Sequence, residues 1–473
     1  MINDTIEYIE SKREKLIEVA DQIWEYAEIK NQEYRSSALL ENVLEENGFN
    51  VEKGVAGLDT AFIGRWGGGK PVIAFLGEYD ALPGLSQQAC LTYKQPVVEG
   101  GAGHGCEHNA LGTGALGAAL AVKDYLEKNG VSGTVCYYGC PAEEGGAGKQ
   151  VMARAGVFKD VDAAITWHPT DDNNIWSMNF LATKGGVFHF KGIPAAAPGQ
   201  SVIGRSALEA VELMNVGANY LRGHVEPNCF INYAVLDAGG IAPNAIPPHA
   251  SVTYLLRANT KVSVNQTFKR LIEVAKGAAL MTGTTMTYEA DFGTCELIPN
   301  RTLERILHKH LVEVGPTPFT QKDLDYAAEL RKTLPPKAEE MTFSALRMLY
   351  GDVAETLIPQ IKGKVINDVV YPYVPIEKSK FGSTDVCDVS WFTPVAQVTT
   401  ACYAKDTPGH CWQVTTQGKA ELCHNGMLNA AKVMALSGAE LFSDPSALRA
   451  VREEFEKKTA GKVYPDSEPD TQD

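Results

Sequence analysis

Four short polar segments of the chain carry the side-chain types that most often bind transition metals. Cysteine, histidine and glutamate occur together in them, and thiolate, imidazole and carboxylate donors suit Zn²⁺ or Mn²⁺. If the segments converge in space, they predict a metal site. They are Gly103–Asn109, Pro141–Gly146, Trp167–Pro169 and Thr407–Gln413, with candidate donors His104, Cys106, His108, Glu143, Glu144, His168 and His410.

The spacing of these residues indicates hydrolytic chemistry. Cys106 and His108 are two residues apart, so both side chains can point the same way from an extended loop. Glu143 and Glu144 are adjacent and therefore point in different directions. One of them can bind metal while the other removes a proton from a water molecule whose pKa the metal has lowered to roughly 7. A ligand beside a general base is the pairing that a metallohydrolase needs.

Each segment also has a simpler interpretation. The Cys-x-His pair can be a buried thiol beside an imidazole, the two glutamates can form a solvated face, and His168 can be a hydrogen-bonded core residue. A site is favoured because all four segments lie at expected strand ends or in Gly/Pro loops. We assign the other histidines to structural roles; they include His189, His249, His308, His310 and His424.

The elements that must position these segments alternate between strand and helix. This alternation is typical of an α/β fold whose mostly parallel sheet is flanked by helices, and ligands bind beyond the carboxyl ends of its strands. Amphipathic helices precede the sheet at 4–30 and 37–47. Apolar runs predict strands at 60–65, 71–77, 133–139 and 163–169, with helices at 110–127 and 149–155.

A different pattern begins near residue 184. Strands and helices there follow the order strand-helix-strand-strand-helix-strand, which predicts a separate α+β domain of ferredoxin-like type. We expect domains at 1–183, 184–296 and 297–473, the first and last forming one catalytic domain; segment 317–380 receives no assignment. The second domain's strands are expected at 187–192, 232–236, 251–258 and 286–292, and its helices at 204–222 and 262–281.

Composition excludes several classes of function. The net charge is −15, from 43 basic and 58 acidic residues, so nucleic acid is not an expected partner. No stretch reaches the roughly 20 apolar residues of a membrane helix, so no membrane is expected as a partner. The charged N-terminus lacks a signal-peptide core. We therefore expect a cytoplasmic protein whose ten cysteines are free thiols.

The polar segments resemble the two-metal amidohydrolase superfamily of aminoacylases and glutamate carboxypeptidases, in its p-aminobenzoyl-glutamate hydrolase-like branch. The resemblance covers nearly the whole chain. Further matching stretches are Gly77–Pro83, Gly204–Met214, Ala242–Pro247, Gly382–Trp391 and Pro408–Gln413.

The resemblance implies a catalytic α/β domain interrupted by a lid or dimerisation domain, and hence a homodimer. It implies Glu143 as the general base, and Asn244 and Arg257 as substrate-binding residues. It also implies two divalent ions, Zn²⁺ or Mn²⁺, with Cys106 bridging them. The implied metal ligands are Cys106, His108, Glu144, His168 and His410.

Two residues depart from the family pattern. Glu107 stands where the family usually has glycine, and this larger side chain is either tolerated or crowds the loop. Ala196 stands where the family usually has a histidine that donates a hydrogen bond to the oxyanion in the partner subunit's site. Loss of one such donor costs roughly a hundredfold or more in rate.

The expected function is metal-dependent hydrolysis of the amide bond of N-acyl or N-aroyl amino acids resembling p-aminobenzoyl-glutamate. Two alternatives stay open at this point. One is a dipeptidase for dipeptides with a basic C-terminal residue. The other is a catalytically weakened metal-binding homologue, which Ala196 and Glu107 suggest.

Overall fold

A computed structural model describes residues 2–197, 199–290, 293–377, 379–380 and 382–465. The helices are α1 (Ile2–Ser11), α2 (Arg13–Tyr26), α3 (Tyr34–Glu46), α4 (His108–Asn129), α5 (Glu143–Gly146), α6 (Gly148–Arg154), α7 (Ala207–Leu221), α8 (Lys261–Thr282), α9 (Arg301–Val314), α10 (Gln321–Arg331), α11 (Ala338–Tyr350), α12 (Ala354–Ile361), α13 (Val386–Val389), α14 (Trp412–Gln417), α15 (Glu421–Ser443) and α16 (Pro445–Thr459).

The strands alternate with these helices through the chain. They are β1 (Asn50–Lys53), β2 (Phe62–Gly68), β3 (Val72–Gly77), β4 (Gly133–Gly139), β5 (Ala163–Thr170), β6 (Asn174–Ile175), β7 (Asn179–Phe180), β8 (Ala182–Lys191), β9 (Ala195–Ala196), β10 (Phe230–Asp237), β11 (Ala245–Ile246), β12 (His249–Ala258), β13 (Thr285–Ala290), β14 (Ser379–Lys380) and β15 (Val395–Ala401).

Two compact units divide the chain. The first comprises the described residues of Met1–Asn179, Ile298–Lys378 and Val389–Lys462, and the second those of Phe180–Leu297, Ser379–Asp388 and Val463–Asp473. Segment 379–388 thus groups with the second unit, although the sequence placed it in 297–473. One reason is that the Cys295 amide donates a hydrogen bond to Asp388 Oδ2 at 3.2 Å.

A seven-stranded sheet organises the first unit, in the order β1-β2-β4-β3-β5-β15-β6. The neighbours β4, β3, β5 and β15 run parallel, whereas β1, β2 and β6 pair antiparallel. Every residue of β3, β4 and β15 is buried, as expected for strands covered on both faces. The mostly parallel sheet flanked by helices, predicted from the sequence, is confirmed.

Helix α4 lies unusually close to this sheet. A Cβ atom on Gly112 would lie 2.6 Å from the Glu78 carbonyl oxygen, and one on Gly114 would lie 2.7 Å from Trp167 Nε1. Only glycine therefore permits this approach. The contact holds the N-terminus of α4, which carries Cys106 and His108, against the carboxyl ends of β3 and β5.

The amphipathic stretch predicted as one helix over 4–30 forms two helices. The Lys12 amide bonds to both the Tyr8 and the Ile9 carbonyl oxygens, which tightens the last turn of α1 and ends it. Helix α2 then begins at Arg13. The two helices still bury an apolar face, which includes Ile9, Leu16 and Ile23.

The second unit has the predicted ferredoxin-like topology. Its four-stranded antiparallel sheet has the order β10-β12-β8-β13, and α7 and α8 connect strands of this sheet. Their buried side chains share one core with the sheet, which includes Phe188, Tyr254 and Phe268. Asp291 and Phe292, the end of the strand predicted at 286–292, lie outside the described residues.

Segment 317–380, left without an assignment, contains α10, α11 and α12. Within the described part of this segment, α10 opens with a capping box in which Thr320 and Asp323 bond to each other's backbone.

In the described chain, no helix is long and apolar enough to cross a membrane. All ten cysteines lie in the described ranges and are free thiols there, as predicted.

Candidate metal centre

The four polar segments converge at the carboxyl edge of the first unit's sheet. Cys106 and His108 lie at the start of α4, Glu144 follows β4, His168 lies near the end of β5, and His410 precedes α14. Their donor atoms form two groups whose members all lie within 4.8 Å of one another. The groups are Cys106–His108–His168 and Cys106–Glu144–His410. Cys106 belongs to both groups.

Hydrogen bonds fix the orientation of two of the imidazoles. His108 Nδ1 lies 2.8 Å from Asp80 Oδ1, and His168 Nδ1 lies 2.8 Å from the Pro169 carbonyl oxygen. Because the acceptor in each bond is an oxygen, each Nδ1 carries a proton, which leaves Nε2 as the ring atom that can bind a metal. His168 Nε2 faces Cys106 Sγ at 3.4 Å. Both rings are therefore held in the tautomer that a metal ligand needs.

Buried carboxylates hold the loop that carries the two glutamates. Asp80 Oδ2 accepts a hydrogen bond from the Glu144 amide at 2.8 Å, so Asp80 orients His108 and Glu144 together. Glu33 Oε1 accepts a hydrogen bond from the Ala142 amide at 2.9 Å. Ala142 has a φ of 60°, a strained conformation for a residue other than glycine. Such strain is typical of backbone held for function.

The electrostatics of the cluster favour cations. Burial raises the pKa of Cys106, but His168 and His108 outweigh this effect and lower the pKa to about 5. Burial likewise opposes ionisation of Glu144, yet hydrogen bonding to His410 lowers its pKa to about 2. Hydrogen bonds with Cys106 and Glu144 raise the pKa of His410 to about 10. The anionic donors thus draw protons onto the imidazoles, and a metal ion can take the place of those protons.

The residues fit a pair of divalent cations. His108 Nε2 and Glu144 Oε1 are buried among other donor atoms, and Glu78 Oε2 lies 3.3 Å from His108 Nε2. Buried charged groups are stable when they are paired or bind a metal ion, and a cation shared by these donors would meet that need. His410 Nε2 lies 3.3 Å from Glu144 Oε1, and its side chain is 55% exposed. One thiolate, one carboxylate and three imidazoles are a donor set that Zn²⁺ and Mn²⁺ accept.

A third group of donors adjoins the first two. Glu78, His108 and Glu143 also offer atoms within 4.8 Å of one another, and Glu143 is half-buried. Glu78 Oε1 accepts from the buried Lys149 Nζ at 2.6 Å. Burial opposes ionisation of Glu78, but Lys149 and His108 lower its pKa. Glu78 is thus held as a carboxylate beside the candidate base.

Comparison with known proteins identifies the family. Residues 74–406 match the family described as Peptidase family M20/M25/M40. The chain belongs to peptidase family M20/M25/M40. A member of this family is a hydrolase of amide bonds that depends on divalent metal ions.

One curated relative covers almost the whole chain. It is 41% identical over 456 residues to one p-aminobenzoyl-glutamate hydrolase subunit of Escherichia coli K12, covering 96% of this chain and 95% of that protein. The other p-aminobenzoyl-glutamate hydrolase subunit of the same bacterium is 32% identical over 240 residues, or 48% of this chain and 52% of that protein. A dinuclear metal-binding M20 peptidase from Bacillus subtilis shares the fold, with a TM-score of 0.58, 17% identity, and coverage of 92% of this chain and 99% of its own.

Sequence reasoning missed the residues that orient the ligands in this family member. Asp80, Glu78, Lys149 and Glu33 received no role, although Gly77–Pro83 was noted as a stretch that matches the family. The available signal was the position of Glu78 and Asp80 directly after β3. Nothing local marks Lys149 or Glu33, because their partners lie far away in the sequence.

His104, a candidate donor in the first segment, does not belong to the metal groups found among the described residues. It is buried, and its Nε2 donates to the Ile23 carbonyl oxygen at 3.0 Å. Burial lowers its pKa to about 3, so the ring is neutral. Other histidines form protein contacts; His424, for example, lies 2.8 Å from Asp21.

The two predicted substrate-binding residues lie on different elements of the second unit. Asn244 is exposed and lies beside β11, and its carbonyl oxygen accepts from the Ala197 amide at 2.9 Å. Arg257 lies near the C-terminal end of the ten-residue strand β12, and its buried Nε has no partner among the described residues. At about 3.3 Å per residue, the strand from its start at His249 to Arg257 spans roughly 25 Å. Because Asn244 precedes the start of this strand, we do not expect one small molecule to contact both residues in the same unit.

Ala196 lies beside Asn244 in the second unit. It forms the short strand β9, and its register partner in β11 is Ala245. Ala196 is exposed, and its methyl group cannot donate a hydrogen bond. The departure from the family pattern therefore lies on the small sheet that a predicted substrate-binding residue immediately precedes.

Glu107 does not crowd the metal centre. Its φ is 54°, and its side chain is fully buried near Cys402 and Cys423 rather than among the ligands. Of the two outcomes that the sequence left open, the structure shows that this larger residue is tolerated.

Proposed function

We propose that this chain hydrolyses the amide bond between an aroyl or acyl group and a free amino acid, with p-aminobenzoyl-glutamate as the model substrate. The observation that carries the proposal is that Cys106 joins two groups of ligand atoms while Glu143 lies half-buried beside them. The 41% identity to an E. coli protein named as part of a p-aminobenzoyl-glutamate hydrolase supports the same substrate class.

The metal pair is assigned to Cys106, His108, Glu144, His168 and His410, with Cys106 as the shared ligand. Two divalent ions there would polarise the scissile carbonyl group and lower the pKa of a water molecule to roughly 7. Both Zn²⁺ and Mn²⁺ suit the donors, and we propose either as the native ion.

Glu143 is assigned as the general base. Its carboxylate would take the proton from the attacking water and pass it to the leaving amine nitrogen. Nearby Glu78 pairs with Lys149 at 2.6 Å, and its donor atom lies within 4.8 Å of that of Glu143.

We propose an assembly of at least two chains, because Asn244 and Arg257 can serve one substrate only if they come from different copies or from two related chains. A homodimer through the second unit meets this need. A heteromer with a related chain meets it equally well, since the two E. coli relatives are named as different subunits of one hydrolase. The cytoplasmic location stays a prediction.

Glu143→Gln tests the base assignment. The variant should lower kcat for p-aminobenzoyl-glutamate by about 10²–10⁴-fold, because the amide cannot accept the proton. Its metal content, measured by elemental analysis, should equal that of the wild type. Glu46→Gln, at an exposed glutamate of the same unit, is the matched control and should change neither value.

Retained activity in Glu143→Gln would overturn the base assignment.

Assays on dipeptides ending in lysine or arginine decide the substrate class. Faster hydrolysis of those dipeptides than of p-aminobenzoyl-glutamate would favour the dipeptidase alternative.

A second candidate function is a weakened metal-binding homologue, which the exposed methyl group of Ala196 favours. Ala196→His restores the donor that the family pattern expects. If the missing donor limits the reaction, kcat should rise by roughly a hundredfold with little change in metal content. Ala195→His, at the neighbouring position of β9, is the control and should not raise kcat. An unchanged kcat in Ala196→His would show that another group stabilises the oxyanion.

A further inference from the structure

A second cluster of donor side chains lies on the other side of the Cys106–His108 segment. Glu107, Cys402 and Cys423 each offer an atom within 4.8 Å of the others, and all three side chains are fully buried. None of them belongs to the candidate metal centre. The three residues, here called the Glu107 cluster, all lie within the first unit.

The Glu107 carboxyl group faces this cluster without a strong hydrogen-bond donor. Both of its oxygens are buried, and no backbone amide, hydroxyl or side-chain nitrogen among the described residues donates to them. Its neighbour is the thiol of Cys423, and a thiol is only a weak donor. Burying a carboxylate without a partner is strongly unfavourable unless a cation or strong donors satisfy it.

Three elements bring these donors together at positions that favour negative charge. Glu107 is the N-cap residue of the 22-residue helix α4, and Cys423 lies in the first turn of the 23-residue helix α15. Helix N-termini carry partial positive charge, which stabilises carboxylates and thiolates. Cys402 directly follows β15. The N-termini of two helices thus lie beside one buried set of potential metal ligands.

The backbone near Cys402 leaves room for its sulfur. A Cβ atom on Gly426 would lie 2.5 Å from Cys402 Sγ and 2.7 Å from the Ala401 carbonyl oxygen. Glycine at 426 therefore allows α15 to pack against the thiol. The positive φ of Glu107, 54°, belongs to the same local arrangement, in which residue 107 enters this cluster while its two neighbours enter the other.

We propose that Glu107, Cys402 and Cys423 bind one thiophilic divalent cation, of which Zn²⁺ is the best match, as a structural site separate from the catalytic pair. Zn²⁺ accepts two thiolates and a carboxylate, and of the four ligands that a structural zinc normally has, these residues supply three. On binding, both thiols release their protons to solvent, because only thiolates are ligands. The ion would join the first turns of α4 and α15 to the end of β15.

The position predicts how the site affects the rest of the unit. The ion would fix the N-terminus of α4, from which Cys106 and His108 project into the candidate metal centre. Because the donors are fully buried, the ion should enter during folding and resist removal by chelators in the native state.

Metal counting on the full chain tests the proposal. Protein refolded in the presence of Zn²⁺ and dialysed against a chelator is measured by elemental analysis. Wild type should retain one zinc per chain more than Glu107→Gln and one more than Cys402→Ser. Cys136→Ser, at a buried thiol of β4, is the matched control and should hold as much zinc as the wild type.

X-ray absorption at the zinc edge separates the two sites. Cys106→Ser removes the thiolate of the candidate metal centre, so any remaining sulfur neighbour at about 2.3 Å must come from the Glu107 cluster. Two sulfur neighbours on the tightly held zinc of Cys106→Ser support the proposal. This measurement decides the matter even if Cys402→Ser fails to fold. Equal zinc in wild type and Glu107→Gln, or no sulfur neighbour in Cys106→Ser, would overturn it.

Discussion

Two buried glutamates of the first unit, Glu33 and Glu107, stand in similar places but in opposite surroundings. Each is the N-cap residue of a helix, and neither side chain caps that helix. Both side chains are fully buried. Glu33 accepts hydrogen bonds from three groups of the described chain, whereas no N–H or O–H group there donates to Glu107, whose neighbour is the Cys423 thiol.

The difference shows that the partners of a buried carboxyl group, rather than its burial, define its role. Glu33 bonds to the Asn31 and Ala142 amides and to the Thr60 hydroxyl. It is therefore satisfied by protein and serves to hold the backbone before Glu143. Glu107 has no such N–H or O–H donors, so its oxygens can bind a metal ion instead of holding the backbone.

The two groups also differ in their electrostatics. Burial, with a smaller contribution from Asp80, raises the pKa of Glu33 to about 7. Burial raises the pKa of Glu107 well above its usual range, and the Cys402 thiol adds to this effect. The donors around Glu33 thus stabilise its ionised form enough to bring its titration near neutrality.

Among the substitutions that test this comparison, Glu33→Gln should have the largest effect, which is a change in the pH dependence of stability. Below pH 4.5 the carboxyl group is neutral in both folded and unfolded chains, whereas from 4.5 to about 7 the unfolded chain ionises more readily. Stability contributed by this group therefore falls as pH rises through that window. At 1.36 kcal/mol per pKa unit, the loss above pH 7 is roughly 3 kcal/mol. Glu33→Gln has no carboxyl group at this position and therefore does not lose this stability as pH rises.

Urea unfolding of metal-free protein at pH 4.5 and pH 8 measures the effect. The free energy of unfolding of Glu33→Gln minus that of the wild type should be larger, in favour of the variant, at pH 8 than at pH 4.5. Glutamine suits the site, because its oxygen can accept from both amides while its NH₂ donates to Thr60. Glu46→Gln serves as the exposed control. A difference between variant and wild type that is independent of pH would contradict the assignment of the titration to Glu33.

Much of the fold was accessible from the sequence because strand and helix periodicities are local signals. The apolar run 71–77 became β3, and the strand and helix order after residue 184 gave the ferredoxin-like unit. Donors at strand ends, such as His168, could be proposed because the carboxyl ends of parallel strands share one edge.

What the sequence could not provide depends on contacts between distant residues. Asp80 and His108 form a pair only because β3 and α4 pack closely at Gly112. The direction of the Glu107 side chain follows from a left-handed φ that no residue type at this position indicates. The polar segment 317–380 concealed three helices, because its short apolar patches are interrupted by prolines and charges.

Asp80→Asn should produce a smaller effect and would extend the comparison to a third buried carboxylate. Asp80 accepts from His108 Nδ1 and from the Glu144 amide, one bond on each oxygen, both at 2.8 Å. Asparagine offers one acceptor oxygen, so one of these N–H groups must lose its partner. Because Asp80 orients two proposed ligands, metal affinity should fall by roughly 10–100-fold.

Titration of metal-free protein with Mn²⁺ or Zn²⁺ measures that affinity directly, and Asp59→Asn, at an exposed aspartate, should leave it unchanged. The loss in Asp80→Asn should affect the catalytic pair and leave the zinc of the Glu107 cluster in place, because Asp80 does not contact that cluster among the described residues. An unchanged affinity would show that His108 and Glu144 hold their positions without Asp80. Simultaneous loss of all metal would instead show that the two clusters are not independent. In that case one hydrogen-bond network would connect both clusters, and Glu33 and Glu107 could no longer be assigned separate roles.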